Sequence, residues 1–224
     1  MADRIRSYVI WGAGGHGRVV ADLIRCTGHQ VIGFVDRDTS RTGEACEPGG
    51  ARIVVTESTW IEAVHTGRHE LGFDALALGL GNNTRRFECL DLSNHMEMPV
   101  LIHPAASVSV SASLGSATVV LARAVINAAA RLGRGVIVNS GAIVEHDCVV
   151  GDAAHVSPGA VLCGGVQLGP RSWVGAAAVV VPNVRIGRDA VIGAGTVVLR
   201  DVPDGVTVAG NPARALQAMS EAAP

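Results

Sequence analysis

The chain has few aromatic residues and no lysine. Only 3% of its 224 residues are Phe, Tyr or Trp, although 48% are hydrophobic. All 18 basic residues are arginine, and 20 acidic residues bring the net charge to −2. A chain without excess positive charge lacks the electrostatic footprint of a nucleic-acid-binding protein. Abundant Val, Leu and Ile beside only 17% charged residues also exclude a disordered chain.

Paired cysteines and membrane-spanning runs are lacking as well. The five cysteines are odd in number and show no CxxC spacing, which predicts reduced thiols and no metal site. Residues 98–122 carry no charged side chain and could span a bilayer in length, but His103, two prolines and five serines argue against it. The N-terminus has no apolar core of a signal peptide. We therefore expect a cytoplasmic protein with no membrane or nucleic-acid partner.

The few aromatic residues are distributed unevenly, which indicates two domains. Six of the seven precede residue 99, and only Trp173 follows it. Before that boundary, apolar runs alternate with helical stretches. The runs cover 7–11, 31–35 and 75–80, and the helical stretches lie near 16–27, 57–66 and 84–94. This alternation predicts an α/β domain over residues 1–98, with helices packed on a small parallel sheet.

The second part of the chain carries a six-residue repeat. Every sixth position from Ile102 to Val198 is Val, Ile or Leu, seventeen times in succession. The position four residues later in each hexad is small or slender, as at Ala124, Ala142 and Ala160. A period of six matches neither an α-helix nor an alternating strand and is typical of a parallel β-helix, in which three hexads form one triangular coil. We expect this β-helix over residues 99–205, followed by a tail over 206–224.

Glycines recur once per predicted coil. They stand 18 residues apart, from Gly115 to Gly205. Glycine at a repeated corner indicates either a positive φ or a close approach of two backbones.

A glycine-rich turn follows the first predicted strand. Gly12-Ala13-Gly14-Gly15-His16-Gly17 satisfies GxGxxG, and Asp36 ends the next strand 19 residues beyond Gly17. In this fingerprint the glycines admit a phosphate to a helix N-terminus, and the carboxylate meets a ribose. An NAD-dependent oxidoreductase would need a second nucleotide-binding half, and the repeat begins too early for one. The turn therefore favours a nucleotide or nucleotide-sugar, with a ligand-free tight turn as the alternative.

A second polar cluster is expected at the same edge of the sheet. Gly81-Asn82-Asn83 and Arg86 follow the strand predicted at 75–80, and ligands of parallel sheets bind at the carboxyl ends of strands. Asn82 and Arg86 are therefore candidate substrate contacts. An ordinary helix cap followed by a surface arginine explains the same residues, and both interpretations stay open.

Two histidines of the repeat, His146 and His155, occupy outward-facing positions. Asp147 directly follows His146, and a carboxylate can fix the tautomer and raise the basicity of a general base. Adjacent strand side chains point to opposite faces, so this pairing requires a bend. His155 lies half a coil away, so we expect the two histidines to meet only across a subunit interface. Trp173, 18 residues after His155, should stack above it as a ligand platform or a subunit contact.

The glycine turn, the repeat and the string Asn139-Ser140-Gly141-Ala142-Ile143-Val144-Glu145-His146-Asp147 together resemble bacterial nucleotide-sugar acetyltransferases. These enzymes act on UDP-4-amino-sugars or GDP-perosamine, and sialic acid O-acetyltransferases are their relatives. The resemblance extends from Gly12 to Arg214. It implies a left-handed β-helix, a homotrimer, and acetyl-CoA as co-substrate in the groove between adjacent β-helices.

The resemblance also implies roles for individual residues in acetyl transfer. His146 would be the general base that deprotonates the attacking amine, and Asp147, where the family often has Glu, would raise its basicity. Asn139 would lie near the substrate amino group, and His155 would contact acetyl-CoA. The remaining expected acetyl-CoA contacts are Trp173, Ala176 and Ala194.

The resemblance assigns the nucleotide part of the substrate to the N-terminal domain. Gly14, Gly15 and His16 would line the diphosphate site, with Asp36 and Arg37 near the base. The predicted reaction is direct attack of a sugar amine on the thioester, because no serine or cysteine is placed beside His146 as a nucleophile. The alternatives are O-acetylation of a sialic acid-type sugar and a non-catalytic nucleotide-sugar-binding protein.

Overall fold

The structure, a computed structural model, describes residues 4–66 and 72–216. Within them an α/β domain precedes a long parallel β-helix, as the sequence predicts. The strands of the first domain are β1 (Ser7–Trp11), β2 (Gln30–Asp36), β3 (Ile53–Thr56) and β4 (Ala75–Leu78). Its helices are α1 (Gly15–Cys26), α2 (Glu57–Thr66) and α3 (Asn83–Leu92), and Thr39–Arg41 form a short 3₁₀ turn.

The four strands form one parallel sheet in the order β3-β2-β1-β4. Its central strand, β1, is buried from Tyr8 to Trp11, and Val20, Leu23 and Ile24 of α1 pack in the same core. Strand β3 is missing from the sequence-based prediction. Its apolar run of three residues, Ile53-Val54-Val55, is too short to distinguish from a loop, and pairing with β2 makes it a strand.

The β-helix begins with seventeen strands of two residues each. They are Leu101–Ile102, Ser107–Val108, Ser113–Leu114, Val119–Val120, Val125–Ile126, Arg131–Leu132, Ile137–Val138, Ile143–Val144, Val149–Val150, His155–Val156, Val161–Leu162, Gln167–Leu168, Trp173–Val174, Val179–Val180, Arg185–Ile186, Val191–Ile192 and Val197–Val198, numbered β5 to β21 in chain order. From β5 to β18, each strand pairs in parallel with the strand 18 residues further on, which builds three sheets. The predicted coil length is therefore confirmed.

The second residue of each short strand points into the β-helix, and the first points outward. Val138, Val144 and Val156 are completely buried, as are the small residues Ala142 and Ala160 of the same repeat. Cys148 occupies one of the small inward positions and is also buried, as predicted. A narrow interior filled by one branched aliphatic and one small side chain per hexad leaves no volume for rings. This explains the low aromatic content.

The 18-spaced glycines mostly serve close backbone approach. Of this series only Gly205 has a positive φ, at +69°, whereas a Cβ added at Gly151 would lie 2.5 Å from the nitrogen of Pro170 in the next coil. The left-handed conformation instead falls three residues after each aliphatic position from Leu114 to Ile192, and Ala129 (φ 59°) and Asp147 (φ 61°) adopt it without being glycine.

The α/β domain packs against one face of the β-helix, at its N-terminal coils. The outward residues of that face are apolar at Leu101, Val119 and Ile137, and these join the core cluster formed by α1 and β1. The next two outward positions along the same sheet are His155 and Trp173. The domain contact therefore brings the glycine turn close to the point where the apolar column becomes polar.

The chain continues past the expected end of the β-helix at residue 205. Strand β22 (Thr207–Ala209) stacks in parallel on β20, and β23 (Arg214–Ala215) pairs antiparallel with β22. The rest of the predicted tail, residues 217–224, lies outside the described residues. None of the helices described is long and apolar enough to cross a membrane.

Glycines with a positive φ and glycines in close contact with the next coil should lose different amounts of stability when replaced by alanine. Gly141→Ala should lower the free energy of unfolding by about 1–2 kcal/mol, since φ is +66° and, in the part of the chain that the structure describes, only chain neighbours lie within 4 Å of the new Cβ. Gly151→Ala should cost about 3 kcal/mol, because the new Cβ meets backbone of the next coil. Urea denaturation of both variants measures the difference, and equal costs would contradict this account of the corner.

Candidate active site

His146 and Asp147 lie at the corner between β12 and β13, and both are exposed. The predicted bend is present, because Asp147 adopts φ 61° and its carboxylate lies 2.8 Å from Nδ1 of His146. A carboxylate can only accept a hydrogen bond, so Nδ1 carries the hydrogen, and Nε2 of the neutral ring is an acceptor. The hydrogen bond with Asp147 raises the pKa of His146, and the charge of Glu145 adds to this. These are the properties of a general base.

Gly164 makes room for the His146 ring, and the sequence-based prediction missed it. A Cβ at Gly164 would lie 2.6 Å from both Nε2 and Cε1 of His146. The 18-residue spacing carries the signal, since residue 164 stacks directly above residue 146. Any side chain at this position would displace the imidazole.

His155 and Trp173 form a stacked pair on the face beside the α/β domain. Their ring centroids are 6.0 Å apart with an interplanar angle of 11°, which confirms the predicted stacking. Nδ2 of Asn139 lies 3.1 Å from Nε2 of His155, and Nε1 of Trp173 donates to Oγ of Ser157 at 2.7 Å. Trp173 remains 47% exposed. The pair thus presents an aromatic surface whose polar edges are fixed by hydrogen bonds.

The carboxyl ends of the parallel strands surround a cavity of about 410 Å³. Apart from its chain neighbours and its own helix, a Cβ added at Gly14 or Gly15 would meet no atom of the described residues within 4 Å, so the backbone of the glycine turn is open to a ligand. The Asp36 carboxylate accepts hydrogen bonds from the backbone nitrogens of Ala13 (3.1 Å) and Asp38 (3.0 Å). It therefore fixes the turn as well as lining the cavity. The other predicted residues that line the cavity are His16, Arg37 and Asn82.

Asn82 also caps helix α3. Its Oδ1 accepts a hydrogen bond from the backbone nitrogen of Arg85 at 2.9 Å. Arg85 and Trp11, in turn, donate to the Glu57 carboxylate, and all three of these side chains line the cavity. The sequence-based prediction did not include this group, whose members come from three separate elements.

Arg86 is neither a surface residue nor exposed to the cavity. It is 1% exposed, and its guanidinium donates to oxygens of both domains. The expected substrate contact by Arg86 is therefore wrong, because every nitrogen of the group is already hydrogen-bonded inside the protein. The alternative of a surface arginine is wrong for the same reason.

His16 and His155 are held in the neutral form. Burial, followed by the charge of Arg86, lowers the pKa of His16 to about 4 and that of His155 to about 3. His16 also acts on the pKa of His155, which places the glycine turn next to this ring. Nε2 of His16 is buried and has no hydrogen-bond partner among the described residues.

Asn139, His155 and Trp173 thus lie together beside the glycine turn. His146 lies on a different side of the β-helix and does not join this group. His155 begins a strand of the eight-stranded sheet, whereas His146 lies at the corner that follows β12, a strand of the six-stranded sheet. Ala176 and Ala194 are exposed and stack at the corner that follows Trp173. Within the described residues no group of three or more side chains could hold a metal ion.

Two family models match the chain. The PglD N-terminal domain matches residues 8–91, and the bacterial transferase hexapeptide (six repeats) matches residues 165–200. No curated protein sequence matches significantly. Among solved structures, a variant of perosamine N-acetyltransferase from Caulobacter crescentus, in complex with CoA and GDP-perosamine, has 35% identity and a TM-score of 0.86. The match covers 96% of this chain and 99% of that one. The chain belongs to the hexapeptide-repeat sugar N-acetyltransferases.

Other members of known structure agree. The acetyltransferase domain of PglB from Neisseria gonorrhoeae FA1090, in complex with acetyl coenzyme A, has 36% identity and a TM-score of 0.85. That match covers 95% of this chain and all of the other. WeeI from Acinetobacter baumannii AYE, at 24% identity and a TM-score of 0.76, covers 93% of this chain and 99% of its own and supports the fold alone. As a member of the sugar N-acetyltransferases, this chain is an acyltransferase.

The hydrogen bond between His146 and Asp147 can be tested by titration. Asp147→Asn should lower the pKa of His146, because the carboxylate that stabilises the imidazolium is removed while Asn tolerates the left-handed backbone. Glu145→Gln is the matched control and should have a smaller effect, since Glu145 contributes last to the shift. NMR titration of the ring protons measures both. A larger change in the Glu145 variant would contradict the assignment.

The two neutral histidines predict acid sensitivity. Unfolding restores their pKa to about 6.5, so the unfolded chain binds more protons below that pH, and stability falls as the pH drops from about 6.5 towards 4. Each group contributes at most about 1.4 kcal/mol per pH unit. His155→Gln should flatten this decline in urea denaturation, whereas His146→Gln should not, because the pKa of His146 is shifted upward.

Proposed function

We propose that the protein transfers the acetyl group of acetyl-CoA to the amino group of a nucleotide-linked amino sugar. The observation that carries this proposal is the His146–Asp147 pair, whose Nε2 is available at an exposed corner cleared by Gly164. The open glycine turn offers backbone nitrogens to a diphosphate, and the solved perosamine N-acetyltransferase was in complex with such a substrate. Together they supply a base and a site for the sugar nucleotide.

The proposed reaction is a direct transfer. Nε2 of His146 takes a proton from the sugar amine as the amine nitrogen attacks the thioester carbonyl. The resulting tetrahedral intermediate collapses, the C–S bond breaks, and the CoA sulfur leaves and receives the proton from the imidazolium. Asp147 stabilises that imidazolium while it is charged. Cys148 is buried, and burial raises its pKa to about 11, so it is unsuited to forming an acyl-enzyme.

Acetyl-CoA is proposed to lie along the face of His155 and Trp173. With its Nε2 accepting a hydrogen bond from Asn139, neutral His155 keeps Nδ1–H as a donor for the co-substrate. Trp173 offers an exposed ring, and the stacked backbones of Ala176 and Ala194 continue the surface. Asn139 hydrogen-bonds His155, and its proposed second role is to contact the acceptor amine.

A homotrimer is proposed to complete the site. His146 and the glycine-turn cavity lie on different sides of the coil, so His146 of one subunit would serve the cavity of its neighbour. We expect such a trimer to act in the cytoplasm, without nucleic-acid or membrane partners.

Removing the base should abolish most turnover. His146→Ala should lower kcat by about 10²–10⁴-fold, which is the usual contribution of a general base. The assay uses UDP-, GDP- and dTDP-amino sugars with acetyl-CoA and detects the released thiol. His95→Ala is the control, because His95 is an exposed histidine three residues beyond the end of α3. Normal turnover by a trimeric His146→Ala protein would overturn the role of His146.

The same assay separates the alternatives. Transfer to hydroxyl acceptors but not to amines would replace the proposal with O-acetylation. Tight binding of a sugar nucleotide without any binding of acetyl-CoA would instead indicate a non-catalytic binding protein.

A further inference from the structure

The turns of the β-helix leave a column of carbonyl oxygens on one corner. Gly135, Ala153 and Arg171 stand 18 residues apart, and all have a positive φ, of 61°, 54° and 58°. The bonds between coils use the preceding carbonyls: Arg134 accepts from Ala153, and Asp152 accepts from Arg171. The three left-handed residues therefore direct their own carbonyls away from the coil-to-coil ladder, where another element can bind them.

Helix α3 binds this column with two side chains. Arg86 donates from Nε to the oxygen of Gly135 and from Nη2 to that of Ala153, both at 2.7 Å. Nδ2 of Asn83 donates to the oxygen of Arg171 at 2.9 Å, and its Oδ1 accepts from Nη2 of Arg86 at 2.8 Å. Arg86 and Asn83, here called the α3 strap, thus hold three consecutive coils.

The strap also holds the edge of the nucleotide cavity. Nη1 of Arg86 donates to the carbonyls of Leu80 (2.8 Å) and Gly81 (3.2 Å), and both residues line that cavity. On the β-helix side, Nη2 additionally approaches the oxygen of Ala154 at 3.3 Å, immediately before His155. Asn83 likewise bonds the oxygen of Ser172 at 3.0 Å, immediately before Trp173. One buried group therefore spans the walls of both proposed substrate sites.

The free-energy cost of burying the Arg86 guanidinium indicates that it does more than attach one domain to the other. The guanidinium is almost completely buried, and every oxygen that it contacts within the described residues is neutral. Burying a cation without an ion pair is expensive, and apolar packing can join two domains at lower cost. Leu90 of the same helix already supplies such packing against Ala117 and Ala153.

We propose that Asn83 and Arg86 are positioning residues that set the spacing between the nucleotide cavity and the His155–Trp173 face. The inference rests on the proposed function, because it concerns the alignment of the two substrates of that reaction. Neither side chain touches substrate. A misplacement of about 1 Å between reacting groups can reduce a rate by about 10²-fold. Each substrate would still bind its own wall when the spacing is wrong.

Arg86→Lys, Arg86→Met and Asn83→Ala test this proposal in the full-length protein. We expect kcat per folded molecule to fall about 10²-fold for the two Arg86 variants and by less for Asn83→Ala. The Kd values for GDP, UDP and CoA should change by less than about threefold, since the two walls remain intact. Folded fractions are measured by thermal unfolding and near-ultraviolet circular dichroism.

Arg134→Met is the matched control. Arg134 also joins the domains, since it pairs with Asp91 of α3 at 3.3 Å and with Asp152 at 3.0 Å, but it is 40% exposed. An exposed ion pair contributes little, so kcat should stay at the wild-type level. Equal losses in the Arg134 and Arg86 variants would overturn the proposal, as would a loss of kcat that only follows the unfolded fraction.

Two readouts do not depend on activity. Amide hydrogen exchange at residues 80–83 and 153–155 should be at least about tenfold faster in both Arg86 variants and unchanged in Arg134→Met. The pKa of His155, which faces Arg86, His16, Asn139 and Trp173, should rise in Arg86→Met but not in Arg86→Lys, which keeps the charge. If the wild type acetylates no amino sugar, the proposed function fails. The positioning role of the α3 strap is then tested by amide hydrogen exchange alone. Unchanged exchange in both Arg86 variants would overturn the strap.

Discussion

The structure depends on the parallel stacking of 18-residue coils. Backbone hydrogen bonds between coils place each residue directly over the residue 18 positions earlier. The same register therefore builds the aliphatic core, stacks Trp173 on His155, and clears space at Gly164 for His146. Because strands β5 to β21 have two residues each, one side chain of each strand points outward. The outer columns are therefore available for chemistry, while the inner ones provide stability.

The α/β domain packs on one of these outer columns. Where the column is apolar, at Val119 and Ile137, the domain covers it, and where it becomes polar, at His155, the glycine turn approaches. Arg86 lies at this transition and bonds both sides. Burial, and after it the charge of Arg86, lowers the pKa of His16 and His155, in contrast to His146, whose pKa Asp147 raises. The molecule thus keeps one histidine basic and two others uncharged.

Much of this could be predicted from spacing. The period of six predicted the β-helix, the step of 18 predicted the stacked rings, and the glycine turn after an apolar run predicted an open edge of the parallel sheet. Sequence spacing did not predict strand β3, which is short, or the contacts of Arg86, whose side chain is long. Strand β3 has an apolar run of three residues, and Arg86 reaches from α3 to carbonyls 49 and 67 positions away. No local pattern distinguishes such an arginine from a surface residue.

By itself the sequence determined the coil, its register and the pairing of His146 with Asp147, because these depend on residues at fixed separations along the chain. Only the tertiary structure decided that the recurring glycines serve close backbone approach at five of six corners, and that Asp36 fixes the glycine turn. It also decided that Arg86 is buried between the domains. The physical reason is that burial and hydrogen-bond partners depend on which distant segments meet, and the packing of the α/β domain on the β-helix establishes those contacts.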